Sequence, residues 1–160
     1  MSLWFRRSPV LPSAMVSASK HIELGGDGLT AEHGGSGGEA AVLASVAVPG
    51  VDDPAATLAD GGVSYLEVAL DDVAVSANVA IGVAPGSFPS SGAAIGSQGV
   101  SFAFRSDGTR VSGPKQKDGE VTTTDVWQAG KSFGSGDTVG CGVVVATRDV
   151  FFTFNGELLG

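Results

Sequence analysis

Apolar and polar residues alternate along much of this chain, and the alternating runs are closed by residue pairs that turn a backbone sharply. In Val100-Ser101-Phe102-Ala103-Phe104-Arg105 the valine and both phenylalanines fall on one side, because successive side chains of a strand point to opposite faces. Residues 64–70 place Leu66, Val68 and Leu70 on one face and Tyr65 and Glu67 on the other. Residues 138–146 are nearly continuous in Val, Cys and Gly, as expected of a strand covered on both faces. Residues 150–154 are a further β-rich run. Asp107-Gly108 and Asn155-Gly156 are pairs that two-residue hairpins favour, since both central positions need a positive φ. Arg148-Asp149 marks a third tight turn. Gly25-Gly26-Asp27-Gly28 separates a strand around Ile22-Glu23-Leu24 from another over residues 29–33. Residues 39–48 read as strand-like, although their alanines also suit a helix. Few windows carry apolar residues at helical spacing without a Gly or Pro inside. Many short strands with regular turns predict an all-β sandwich or barrel.

Composition supports one globular domain. Of 160 residues 25 are glycine, without a G-X-Y period, which excludes collagen. Charged residues make up 16% and apolar ones 42%, the reverse of a disordered chain. Aromatics are only 7%, so Val, Ile, Leu and Ala must supply most of the core. The net charge of -8 argues against nucleic acid, which is gripped by a basic face. Charge is uneven: residues 21–104 hold no Lys or Arg, while Arg105, Arg110, Lys115, Lys117 and Lys131 form a basic island suited to an acidic peptide.

Cys141 is the single cysteine, so no internal disulfide forms, in keeping with a reducing compartment. The longest charge-free stretch, residues 73–104, is interrupted by Asn78, Pro85, Pro89 and a Ser/Gly cluster, and no membrane span is expected. Residues 1–19 carry Arg6 and Arg7, several serines and no acid; they read as a disordered leader, with organelle targeting the less favoured alternative. Residues 85–98 and 112–136 are too long for tight turns and read as loops, where binding function usually sits.

Motifs for chemistry fail on inspection. Gly34-Gly35-Ser36-Gly37-Gly38 matches a nucleophile elbow in form, yet no histidine follows Ser36. Gly130-Lys131-Ser132 ends like a phosphate-binding loop, but Asp125 stands where its first glycine belongs. Cys141 lies inside an apolar strand, the setting of a core residue and not of a nucleophile. Asp52-Asp53 and Asp71-Asp72 lack the spacing of a calcium loop, and no cluster has zinc spacing. Neither catalysis nor a cofactor or metal is expected.

Several blocks, in order, resemble a SPRY domain, the core of the B30.2 module. Tyr65-Leu66-Glu67-Val68 is similar to its "YFEV" strand and Ile81-Gly82-Val83-Ala84 to its "IGFA" strand. Val100-Ser101-Phe102-Ala103-Phe104 with Asp107-Gly108 resembles its "SYGYxxDDG" hairpin. Gly136-Asp137-Thr138-Val139-Gly140-Cys141-Gly142-Val143 is close to "GDVIGCGI". The run from Phe151 through Phe152, Thr153, Phe154, Asn155 and Gly156 to Leu159 and Gly160 is close to "FFTKNGxxLG". Ile22-Glu23-Leu24 and Asp27-Gly28-Leu29-Thr30 look like the family's first strands, so the resemblance covers residues 20–160.

The resemblance implies an all-β fold, a bent antiparallel β-sandwich of two sheets of the concanavalin-like jelly-roll kind. It implies a non-enzymatic interaction module of the cytoplasm or nucleus, binding a partner peptide through rim loops as a scaffold or a ubiquitin-ligase substrate receptor. In such relatives the chain continues for a few strands past the position of Gly160. The expectation is a domain without its last strands, with self-association through unpaired strand edges. Phe88, Arg105, Trp127 and Lys131 are the candidate partner contacts, since aromatics and Arg dominate binding hot spots. A carbohydrate-binding lectin or glycan-cleaving domain is the alternative; binding would want several Trp or Tyr on a concave sheet, often with calcium, and hydrolysis a glutamate pair such as Glu67 and Glu157.

Overall fold

The computed structural model describes residues 2–7, 15–17, 21–26, 29–34, 42–44, 62–85, 88, 94–96, 100–113, 116–117, 120–121, 125–128 and 130–159. Every regular element among them is a strand. In chain order these are β1 (Ser2–Arg7), β2 (Met15–Ser17), β3 (Ile22–Leu24), β4 (Thr30–His33) and β5 (Val42–Ala44). There follow β6 (Val63–Leu70), β7 (Ala80–Val83), β8 (Phe102–Arg105), β9 (Thr109–Ser112) and β10 (Gln116–Lys117). The last are β11 (Glu120–Val121), β12 (Asp125–Gln128), β13 (Thr138–Val144), β14 (Asp149–Phe154) and β15 (Glu157–Leu158).

The strands form an antiparallel sandwich. A seven-stranded sheet has the order β15-β14-β13-β6-β1-β4-β3, and a four-stranded sheet has the order β12-β9-β8-β7. Two smaller pairs, β2-β5 and β10-β11, stand outside them. The core lies between the two large layers. Val68, Leu70, Val139, Cys141 and Phe152 come from the seven-stranded sheet, Ile81 and Phe104 from the four-stranded one, and Val79 and Phe133 from loops. Burying side chains of this size stabilises by about 1.5–3 kcal/mol each. The alternation predicted for residues 64–70 holds: Val68 and Leu70 are buried in the core.

The small sheet is covered on both faces. Phe104 faces the core at 0% exposure, yet Ala103 and Val111, one residue out of phase, are equally enclosed. A loop over residues 94–96 lies on that second face. Gly96 sits against the side chains of Val111 and Ala103 with φ +84°, and its amide donates to Ser101 Oγ at 2.9 Å.

The turns divide by geometry. Asn155 and Gly156 take φ 49° and 82°, the pair of positive values that a two-residue hairpin demands. At the β8–β9 turn only Gly108 of the expected pair is positive, at 86°. The loop there holds three residues, 106–108, closed by the Gly108 amide on Arg105 O at 2.9 Å. A tight turn followed by one left-handed glycine accommodates the strand twist equally well. The Arg148 turn also forms, with φ 61° and its amide on Val144 O at 2.7 Å.

Two segments differ from expectation. Residues 112–136 are not loop throughout: β10, β11 and β12 lie within them. β12 pairs residue by residue with β9, from Asp125 against Ser112 to Gln128 against Thr109. It thereby satisfies backbone groups that β9 would otherwise leave open. Asp118-Gly119 stands between β10 and β11 in sequence, a hairpin signal. Of residues 1–19, read as a leader, the described parts are strands: β1 fills the place between β6 and β4, and β2 pairs with β5. The β-favouring run Leu3-Trp4-Phe5 suits that position. Ser36 lies outside the described residues.

Candidate interaction surface

One end of the sandwich is built from four tied segments. The β6–β7 connection covers residues 71–79, the β8–β9 turn residues 106–108, the approach to β13 residues 130–137, and the β14–β15 turn Asn155 and Gly156. Ser106 binds the first of these twice: its amide donates to Val79 O at 2.8 Å, and its Oγ accepts from the Val79 amide at 3.1 Å. The Phe133 amide donates to Ser106 O at 3.1 Å. Ser135 Oγ accepts from the Val73 amide at 2.8 Å. Asp137 accepts from the Gly134 amide and from Asn155 Nδ2, each at 2.9 Å. Asn155 Oδ1 in turn accepts from the Thr138 amide at 2.8 Å. Asp137 is therefore a turn residue.

Among these segments lies a surface depression of about 500 Å³, lined by Val73, Val75, Ala77, Asp107, Phe133 and Ser135 among others. Its floor is rigid: Phe133 is buried and its ring meets Phe104 at 4.9 Å between centroids. Its lip is apolar: Val75 is fully exposed at 108%. Asp107 holds one side as a carboxylate. Hydrogen bonds from the Thr109 hydroxyl at 2.6 Å and the Thr109 amide at 2.9 Å hold its pKa below the ordinary value. The site thus offers an apolar seat beside a negative charge, within a frame of loops tied together by hydrogen bonds.

Of the four residues singled out in the sequence, Arg105 and Lys131 stand at this end. Arg105 closes β8, opposite Ala80 and next to the Ser106 anchor. Lys131 is exposed; its ammonium lies 2.7 Å from Glu157 Oε2 and 5.4 Å from the Phe154 ring centroid. The hydrogen bond from Lys131 draws the Glu157 carboxyl below the ordinary range. Trp127 occupies the register position across from Arg110 on the β12–β9 pair, next to Gln128 against Thr109 at the same turn; its side chain lies outside the described residues. Phe88 is apart from the other three. It follows β7 beyond Val83, the end of the β7–β8 pair opposite Arg105. It is buried at 9% exposure, with its amide on Pro85 O at 2.8 Å. Little of the Phe88 side chain therefore faces solvent.

Two features escaped the sequence. The β6–β7 connection supplies half of the depression, yet Val73 and Val75 stand in the charge-free stretch of residues 73–104, which carries no local signal of a site. The outer face of the seven-stranded sheet carries the other. There Tyr65 and Phe151 lie at 5.9 Å between ring centroids with planes only 7° apart. Tyr65 Oη donates to Glu67 Oε1 at 2.7 Å and shares a hydrogen bond with Thr153 Oγ1 at 2.6 Å. The alternation had put Tyr65 and Glu67 on this face, but only the register brings Phe151 and Thr153 beside them.

The structure describes the surroundings of Cys141, Glu67 and Glu157. Cys141 is buried at 1% exposure, and burial pushes its thiol up to about 12, so no thiolate nucleophile exists at neutral pH. Glu67 and Glu157 do not form a pair: one is bonded to Tyr65, the other to Lys131. Among the described residues no group of three His, Cys, Asp or Glu side chains is placed to hold a metal.

A family model described as "SPRY domain" matches residues 63–160, from the first residue of β6 to the end of the sequence. No curated protein matches the chain. The matched region holds both large sheets except for β1, β3 and β4, and every residue of the depression.

Proposed function

Because this chain belongs to the SPRY domain family, a family of protein-interaction modules, we propose that it is a non-enzymatic module that seats a partner peptide on the rim depression. The observation that carries the reading is the pairing of an exposed apolar lip, Val75, with a buried aromatic floor, Phe133, in one frame of cross-linked loops. Exposed apolar surface next to a rigid floor is the usual mark of a binding site in a soluble domain. Arg105 and Lys131 stand beside it and select the charge of the flanking partner residues. Lys131 must give up part of its contact with Glu157 to do so. The partner is a protein or peptide, and the setting is the cytoplasm or nucleus, where the domain acts as a scaffold or as the substrate-recognition part of a ubiquitin ligase.

The test is affinity. Peptides selected from a random library against the full chain should bind wild type at micromolar Kd and lose at least about tenfold with Val75→Glu, a charge placed in an apolar seat. Undiminished binding to a folded Val75→Glu variant would remove the depression from the site. Self-association through sheet edges is part of the same proposal. β3 and β15 bound one sheet and β7 and β12 the other; a concentration-independent monomer in gel filtration would exclude it.

A further inference from the structure

The outer face of the seven-stranded sheet is flattened by two glycines. A Cβ on Gly140 would meet the Tyr65 Cζ at 2.6 Å as well as its hydroxyl and Thr153 Oγ1. A Cβ on Gly142 would run into the Phe151 ring, with Cε1 at 2.6 Å and Cε2 at 3.0 Å. The two rings therefore lie down over the glycine positions of β13 instead of standing off the sheet. They are half-buried, so part of each residue remains exposed to solvent. The hydrogen bonds of Tyr65 to Glu67 and Thr153 hold the phenol in this pose. Burial, above all, raises its pKa, which keeps it protonated as a donor.

The same face is acidic. Glu67 follows Tyr65 two residues along β6, and Asp149 precedes Phe151 by two along β14, so all four residues share the face. Further across the sheet, Glu23 and Glu32 face each other in register and are both exposed. Arg6 holds the register position across from Glu67. Partly exposed aromatic residues next to carboxylates fit a planar cation, which stacks on the rings while its N–H groups reach the acids. A lysine ammonium satisfies the charge but not the plane.

We propose that this face is a second interaction surface, separate from the rim, that takes an arginine-bearing extended segment of a protein partner on Tyr65 and Phe151, with Glu67 and Asp149 receiving the guanidinium groups. The partner's charge complements both this face and the chain's net charge of -8. Steering by such a field raises the encounter rate and makes it salt-dependent.

The test uses the full chain and a labelled Gly-Arg repeat peptide, with the Gly-Lys repeat as comparison, read by fluorescence anisotropy. The arginine peptide should bind at least about threefold tighter than the lysine one. Phe151→Leu and Glu67→Gln should each weaken it about three- to fivefold. Asp72→Asn removes the same charge from a loop at the end of the sandwich and should change nothing. Melting curves establish that each variant is folded. If Glu67→Gln is not, Asp149→Asn at the exposed start of β14 carries the charge arm alone. Equal affinity for the two peptides, equal loss from Asp72→Asn, or no binding would each overturn the proposal. The rim is judged separately by Val75→Glu, which should leave the arginine peptide bound.

Discussion

The rings of Phe104 and Phe133 meet at 4.9 Å between centroids, tilted by 57°, and through this contact the rim depression rests on the core. Phe104 is wholly enclosed and also meets Phe152 at 6.0 Å. Phe104→Ala should cost about 3–5 kcal/mol in urea unfolding. Phe133→Ala should cost less at equilibrium, because its segment can collapse toward solvent, but should abolish peptide binding at the rim. Equal loss of stability in both, with binding to folded Phe133→Ala intact, would separate the rim from the core.

Gly142 carries a second expectation. An added methyl must displace the Phe151 ring, and Gly142→Ala should destabilise by about 1–3 kcal/mol through overpacking. In the background of Phe151→Ala the same change should cost much less, since the obstructing ring is gone. The double-mutant cycle measures that coupling. Additive costs would mean that the ring does not lie over the glycine.

Acid should weaken the tie between Lys131 and Glu157. The Glu157 pKa is lowered in the fold by its partner, so its contribution is present above the unfolded-state value of about 4.3 and is lost as pH falls below it. Both side chains are substantially exposed, at 44% and 73%, and salt screens such pairs. The difference in Tm between wild type and Lys131→Met should therefore be small at pH 7 and vanish by about pH 3. A difference that grows on acidification would reverse the sign and refute the pairing.

Cys141 gives a test in alkali. Its pKa rises from 9.0 to about 12 on burial, so the folded state holds a proton that the unfolded state releases. The stabilising contribution is whole below pH 9 and declines as pH climbs toward 12. Native protein at pH 8 should resist a thiol-specific disulfide reagent and react fully in denaturant. Rapid labelling of the native chain would show the strand to be open.

Much of this fold is legible in its sequence, and what is not legible has physical causes. The faces of β6 were legible because Leu66, Val68 and Leu70 obey a period of two. Asn155-Gly156 was legible because both residues need left-handed backbone. Asp107 departs from the expected turn because a three-residue loop uses the same Asp-Gly pair with only the glycine left-handed. β12 was hidden because its reason to be a strand lies in the open edge of β9, not in residues 125–128. The burial of Phe88 is not legible because a Ser, Gly and Pro setting shows no inside or outside. The depression and the aromatic face depend on residues brought together across as many as 88 positions, as with Tyr65 and Thr153. No local pattern records such a meeting; only the register of β6, β13 and β14 does.

The most direct measurement is amide chemical-shift mapping of the full chain with a peptide selected from a random library. Saturable shifts should concentrate at Val73, Val75, Ala77, Asp107 and Phe133, the lining of the depression, and should disappear with Val75→Glu. Shifts confined to other faces of the sandwich, with the amides of the depression unmoved at saturation, would contradict the rim as the place where this domain holds its partner.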